Sequence, residues 1–214
     1  MTRVLLTGFE PFGGGETNPS WEAVRAVAAH PPPGLSFTTA ELPCVYGAAL
    51  PALTAAVQDG EPDVVLCVGQ AGGRPDITVE RVAINLDDAR IPDNAGAQPM
   101  DEPVIPGGPA AYFAALPVKA CVAAVRAAGV PASVSHTAGT YLCNHVFYGL
   151  MHLIATERPA LRGGFVHVPY ASAQVTDRSA PSLPVAAAAE GLRAIAATAA
   201  ARTDDIRAVG GATH

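Results

Sequence analysis

The chain has 214 residues, half of them apolar and 15% charged, with a net charge of −6 and four cysteines. That length suits one compact domain with a sizeable core, the composition is too apolar for a disordered chain, and the 13 scattered basic residues of an acidic chain do not read nucleic acid. No stretch reaches the roughly 18 consecutive apolar residues of a membrane span, the N-terminus has no signal-peptide pattern, and the cysteines form no C-x-x-C pair, so a cytoplasmic protein with free thiols, no bound metal and no cofactor is expected.

In chain order, Val4 to Thr7 reads as a strand that runs into a Gly-rich turn, Thr7-Gly-Phe-Glu-Pro-Phe-Gly-Gly-Gly15, where Phe9 and Phe12 could wall a pocket or serve as buried aromatics. A helix starts at about Pro19. Another starts at about Tyr46 and carries Ala49, Leu53 and Val57 on one buried face. Between them Cys44 follows a strand, close enough to approach a site without reacting. Val64 to Val68 is a buried strand holding Cys67, and a second Gly-rich turn leads from it to Arg74. Both turns are expected to open at the same sheet edge.

The segment Ile77 to Leu86 has a strand-like apolar pattern interrupted by Glu80, and a carboxylate there needs a partner or a task. An ion pair with Arg81, or a charge on an edge strand, would account for it equally. Residues 90 to 109 hold too many Pro and Gly for regular structure and read as a long functional or disordered loop. A helix from about Pro117 buries Val118, Cys121, Val122 and Val125, and Ala132 to Ser135 is a strand. A turn at Gly139 opens a helix from about Cys143, Phe165 to Val168 is a strand, and a last helix runs from about Pro184 through Ala-rich sequence. This alternation predicts an α/β fold, a mainly parallel twisted sheet with helices on both faces.

The phosphate-loop, dinucleotide and serine-elbow motifs are absent. What remains is a thiol and a histidine. Cys143 alone of the four cysteines lies at a strand-to-helix junction, where unpaired backbone N–H groups and the helix dipole can lower a thiol pKa and hold an oxyanion. A buried structural cysteine is the alternative. Among six histidines, His30 beside a proline run and the terminal His214 are expected in solvent, and His145 and His152 share the helix of Cys143 without facing it. His167 remains, closing a strand at the sheet edge where α/β ligands gather, with His136 behind it. Glu80 is the candidate to orient the imidazole.

These segments together resemble the pyroglutamyl peptidase I family of cysteine exopeptidases. The resemblance spans nearly the whole chain through Thr-Gly-Phe-Glu-Pro-Phe-Gly-Gly, Asn18-Pro-Ser-Trp, Val-Gly-Gln-Ala-Gly-Gly-Arg, Thr-Val-Glu-Arg-Val-Ala-Ile-Asn, Ala-Arg-Ile-Pro-Asp-Asn, Gly-Gly-Pro-Ala-Ala-Tyr, Thr-Ala-Gly-Thr-Tyr-Leu-Cys-Asn-His and Gly-Gly-Phe-Val-His-Val-Pro-Tyr. It implies a single-domain α/β/α sandwich with a mainly parallel or mixed sheet, a homodimer or homotetramer, and pyroglutamyl peptides as substrate. It further implies Cys143 as nucleophile, His167 as base and then acid, Glu80 as the orienting group, and Arg90 with the Cys143 N–H facing the oxyanion. The implied substrate contacts are Phe9, Phe12, Gln70, Ile91, Tyr141 and Leu142. Cys44 stands where a small hydroxyl residue is expected, and Tyr141-Leu142 replaces a Phe-Val pair. Two other readings compete: a phosphorylase or nucleosidase with phosphate in the Gly13-Gly-Gly15 loop, and a non-catalytic lactam-binding module in which Cys143 is incidental.

Overall fold

The computed structural model describes residues 1–175 and 179–211, so the expectation for His214 lies outside the described residues. Strands β1 (Thr2–Phe9), β2 (Leu35–Leu42), β3 (Val64–Gln70), β4 (Ile77–Glu80), β7 (Ala132–Ser135) and β8 (Arg162–Val168) form one sheet in the order β2-β1-β3-β8-β4-β7. Strands β5 (Val82–Ile84) and β6 (Ala111–Phe113) pair antiparallel as a separate ribbon. The helices are α1 (Pro19–Ala28), α2 (Tyr46–Gly60), α3 (Val118–Ala127), α4 (Leu142–Thr156) and α5 (Val185–Ala201). The large sheet is mixed. Strands β2, β1, β3 and β8 are mutually parallel, whereas β4 joins β8 antiparallel and takes β7 with it as a parallel partner.

Period-two alternation assigns each strand residue to one of two cores. Val4, Leu6, Val64, Leu66, Val68, Ile77, Val79, Val166 and Val168 face the layer of α1, α3 and α5. Leu5, Phe9, Val65, Cys67 and Phe165 face the layer of α2 and α4. Ala49, Leu53 and Val57 of α2, and Cys121 and Val125 of α3, are buried as their helical spacing predicts. Helix α1 begins with Asn18 accepting from the Ser20 N–H and Pro19 at the first turn, a well-capped start. Among the described residues no helix is long and apolar enough to cross a membrane.

Two features add to the sequence expectations. Strand β2, the strand expected before Cys44, lies at the sheet edge, half-exposed and with polar threonines in its middle, so its apolar signal is too weak to give its bounds. The 90 to 109 segment has no helix or sheet strand, as expected, yet it is pinned throughout. Asp93 accepts from the Tyr46, Ala95 and Ala97 N–H groups, which caps α2 from a distance. Asn94 donates to Glu10 and to the Pro11 carbonyl, and Asp87 bridges to Glu102. Those N–H donors outweigh the effect of burial and hold the Asp93 carboxyl below its usual range.

Candidate active site

Strand register brings the candidate residues together. His167 is level with Gly69 on one side and with Thr78 on the other, on the same sheet face as Phe165. Glu80 lies two residues beyond Thr78 on that face and is level with Ser135. The result is a fully buried carboxylate whose Oε1 lies 2.7 Å from His167 Nδ1. Arg81 is not the partner of Glu80. Its guanidinium reaches toward the Gly210 carbonyl at 3.5 Å, and β4 is an interior strand, so neither the local ion pair nor the edge-strand explanation accounts for Glu80.

Helix α4 lays its first turn over this face. A Cβ built on Gly69 would meet Cys143 Sγ at 2.8 Å, so the missing side chain makes room for the thiol beside His167. The left-handed Gly139, at φ 77°, turns the chain into the helix, and the preceding loop is tied down by Thr140 Oγ1 donating to the Asp88 carbonyl. The start of α4 contrasts with that of α1, because the Tyr141 side chain at the cap turns its hydroxyl to the Pro92 carbonyl and gives the helix no capping hydrogen bond. The first backbone N–H groups of α4 are thereby left to a ligand, the arrangement that favours an anion or a developing oxyanion.

The protonation states follow from burial and charge. Burial pushes the Cys143 thiol up to about 12, with the Glu80 carboxylate adding to the rise and the Arg74 cation opposing it. The lowered thiol pKa expected from the helix start is therefore not found. Burial is the largest influence on this thiol. Burial also pushes the His167 imidazole down against the bond and charge of Glu80, and Arg74 deepens that fall. For Glu80, burial alone would raise the pKa, but the hydrogen bond from His167 and the Arg74 charge leave it below its usual value. The resting site at neutral pH holds a thiol, a neutral imidazole and a carboxylate. Nδ1 must then carry the proton it donates to Glu80, which leaves the Nε2 lone pair to act as a base.

A cleft of about 480 Å³ opens over Cys143 and His167, with Phe12, Gln70, Arg74, Arg90, Ile91 and Tyr141 among its walls. Both Gly-rich turns reach it, as expected. Gln70 is held by Gln174, whose amide donates to Gln70 Oε1 at 3.0 Å. The Arg90 side chain is exposed and has no ion-pair or hydrogen-bond partner among the described residues. Two expected wall residues do not line the cleft. Phe9 is buried with its ring 6.4 Å from that of Phe165, because strand alternation turns it into the core, and Leu142 is buried at the first helical position of α4.

The remaining thiols and histidines have other surroundings. Cys44, Cys67 and Cys121 are buried and Cys143 is partly exposed. Burial pushes all three buried thiols up. Cys44 Sγ donates to the Glu10 carbonyl at 3.4 Å and does not line the cleft. His30 and His136 are exposed, and His152 Nδ1 meets the Tyr112 hydroxyl at 3.0 Å. His145 points away from Cys143 into a buried pair with Asp87 at 2.7 Å, packed edge-on against Tyr46. Sequence reasoning missed Arg74. It stands at the end of the second Gly-rich turn, but its targets on β4, on β7 and just after β7 are gathered by the parallel β4–β7 register, which no local pattern encodes.

Comparison with known proteins adds independent findings. Residues 2–203 match the family described as Pyroglutamyl peptidase. The chain is 67% identical over 217 residues to the pyrrolidone-carboxylate peptidase of Streptomyces coelicolor and 52% identical over 215 residues to that of Yersinia pestis, each match covering the whole of both chains. Among solved structures, pyroglutamyl peptidase I of Bacillus amyloliquefaciens superposes with a TM-score of 0.94 at 50% identity, covering 96% of this chain and 100% of that one.

Proposed function

The chain belongs to the pyroglutamyl peptidase family, and from that premise we propose that Cys143, His167 and Glu80 carry out its hydrolysis of the bond after an N-terminal pyroglutamyl residue. The activity is that of a cysteine omega peptidase. The observation that carries the assignment of residues is the buried Glu80 carboxylate 2.7 Å from His167 Nδ1, with the Cys143 thiol seated over Gly69 next to that imidazole.

In this mechanism His167 Nε2 takes the thiol proton as Cys143 Sγ bonds to the pyroglutamyl carbonyl carbon. The oxygen that becomes negative is met by the free N–H groups at the start of α4, including that of Cys143, and by the Arg90 guanidinium. Collapse of the tetrahedral intermediate breaks the C–N bond, and the imidazolium gives its proton to the departing amine. Water, deprotonated by the same imidazole, then hydrolyses the thioester and restores the thiol. Glu80 stabilises the imidazolium and fixes its tautomer throughout. Pyroglutamate is an uncharged lactam, and the Phe12, Ile91 and Tyr141 walls with the polar Gln70 suit a flat ring with one amide edge.

The comparisons lend no support to a phosphorylase or nucleosidase, or to a binding module. A reporter amine attached to pyroglutamate is expected to be released without phosphate, and at least about 10²-fold faster than from proline, which lacks the lactam carbonyl. Equal release from both reporters, or dependence on phosphate, would overturn the reading.

A single cytoplasmic domain working as a homodimer or homotetramer belongs to the same proposal. Sedimentation at monomer mass across micromolar concentrations would contradict it.

A further inference from the structure

We propose that Arg74 is a positioning residue of this site, one that aims Glu80 at His167 and keeps the imidazole in the neutral form that can accept the thiol proton. The proposal rests on the assignment of Cys143, His167 and Glu80 above. Arg74 ends the glycine-rich turn between β3 and β4, and its guanidinium fans across the sheet face that carries Glu80. Nη1 donates to Glu80 Oε1 at 2.6 Å, to the Thr78 hydroxyl and to Ser135 Oγ at 3.3 Å, and Nη2 donates to the Thr137 carbonyl at 2.8 Å. Those contacts tie β4 and β7 to the loop leading into α4. The side chain is 27% exposed and lines the cleft, so the cation borders the reacting groups without leaving solvent entirely.

The Glu80 contacts are asymmetric. Oε1 receives both the His167 and the Arg74 bonds, whereas the buried Oε2 has no hydrogen-bond partner among the described residues. A carboxylate held on one oxygen by two charge-assisted bonds cannot rotate without losing both, so Arg74 and His167 fix each other through it. A buried carboxylate paired with histidine alone would also favour the protonated imidazole, which cannot serve as a base. The Arg74 cation opposes that outcome, and it lowers the pKa of the imidazole, the Glu80 carboxyl and the Cys143 thiol alike. The charged or titratable groups bordering His167 are Glu80, Arg74 and Cys143, with Asp88, Arg90 and Tyr141 elsewhere on the cleft wall.

The test is the pH dependence of kcat/KM for Arg74→Met and Arg74→Lys, with a double-mutant cycle against Glu80→Gln. Arg74→Met is expected to lower kcat by about 10- to 100-fold, the scale on which outer partners of a metal-bound histidine matter. Its acid limb should move to higher pH, because removing a cation raises the pKa of an imidazole that must be neutral to work. Arg74→Lys keeps the charge but not the fork. It should keep the acid limb in place and recover part of kcat. In the Glu80→Gln background Arg74→Met should cost little more.

A merely structural arginine would change melting temperature and leave the acid limb where it is. Wild-type kcat and an unmoved limb in folded Arg74→Met, or losses that multiply fully with Glu80→Gln, would overturn the proposal. If Arg74→Met does not fold, an acid limb shifted in Arg74→Lys as far as a lost charge requires would overturn it. The underlying assignment fails separately, by turnover surviving in Cys143→Ala or His167→Ala.

Discussion

Replacing Cys143 with Ala or Ser is expected to lower turnover by at least about 10⁴-fold while the protein stays folded, because the substitution removes the atom that forms the covalent intermediate. Serine is no substitute here. Its hydroxyl is a weaker acid than a thiol that burial already keeps protonated, and His167 with a lowered pKa is a modest base. The other cysteines supply the control. Cys67 and Cys121 lie on opposite sides of the sheet in the two cores, so Cys67→Ala and Cys121→Ala should cost roughly 0.5–3 kcal/mol of stability and spare kcat. Full inactivation by Cys67→Ala in a folded protein would count against Cys143 as the only nucleophile.

Glu80→Gln should keep the fold and much of the substrate affinity but lower kcat by about 10²- to 10⁴-fold. The upper figure is the cost of losing the orienting carboxylate of a serine triad. The amide oxygen can still accept from His167 and Arg74, since both now use the same carboxylate oxygen, so the imidazole tautomer can survive. What is lost is the negative charge that stabilises the imidazolium. A thiolate formed in advance would have softened this loss, but the resting thiol is protonated and needs the full base. Arg81→Gln is the matched control. Among the described residues its side chain makes a single hydrogen bond, a long one to Gly210, and turnover should stay near that of the parent protein. Near-parent kcat for Glu80→Gln would remove Glu80 from the site.

The helices and the central strands were legible because their signal is local. The apolar spacing in α2 and α3, the proline at the start of α1, and the short apolar run of β3 each mark themselves. Cys143 and His167 were legible for a related reason, as they sit at element ends that turn chemistry identifies. The antiparallel seating of β4 against β8 was not legible, because register between strands about 85 residues apart depends on the whole packed sheet. Glu80 could therefore be suspected as an intruder in an apolar run and offered as the group that orients His167, while its second partner, Arg74, stayed out of reach of local reasoning. Phe9 failed for a geometric reason, since β1 runs two residues beyond the expected Thr7 and seats Phe9 in the core under α2 and α4. The thiol pKa failed on magnitude. A helix terminus does favour a thiolate, but burial and the neighbouring carboxylate push this thiol up.

The central claim is that acyl transfer passes through Cys143, and rapid acid quenching during turnover of a pyroglutamyl aryl ester tests it most directly. The account predicts a pyroglutamyl thioester on the peptide containing Cys143, appearing with a burst of released alcohol and absent from Cys143→Ala. Undiminished turnover with no adduct on that peptide, or an adduct on Cys44 or Cys67 instead, would contradict it.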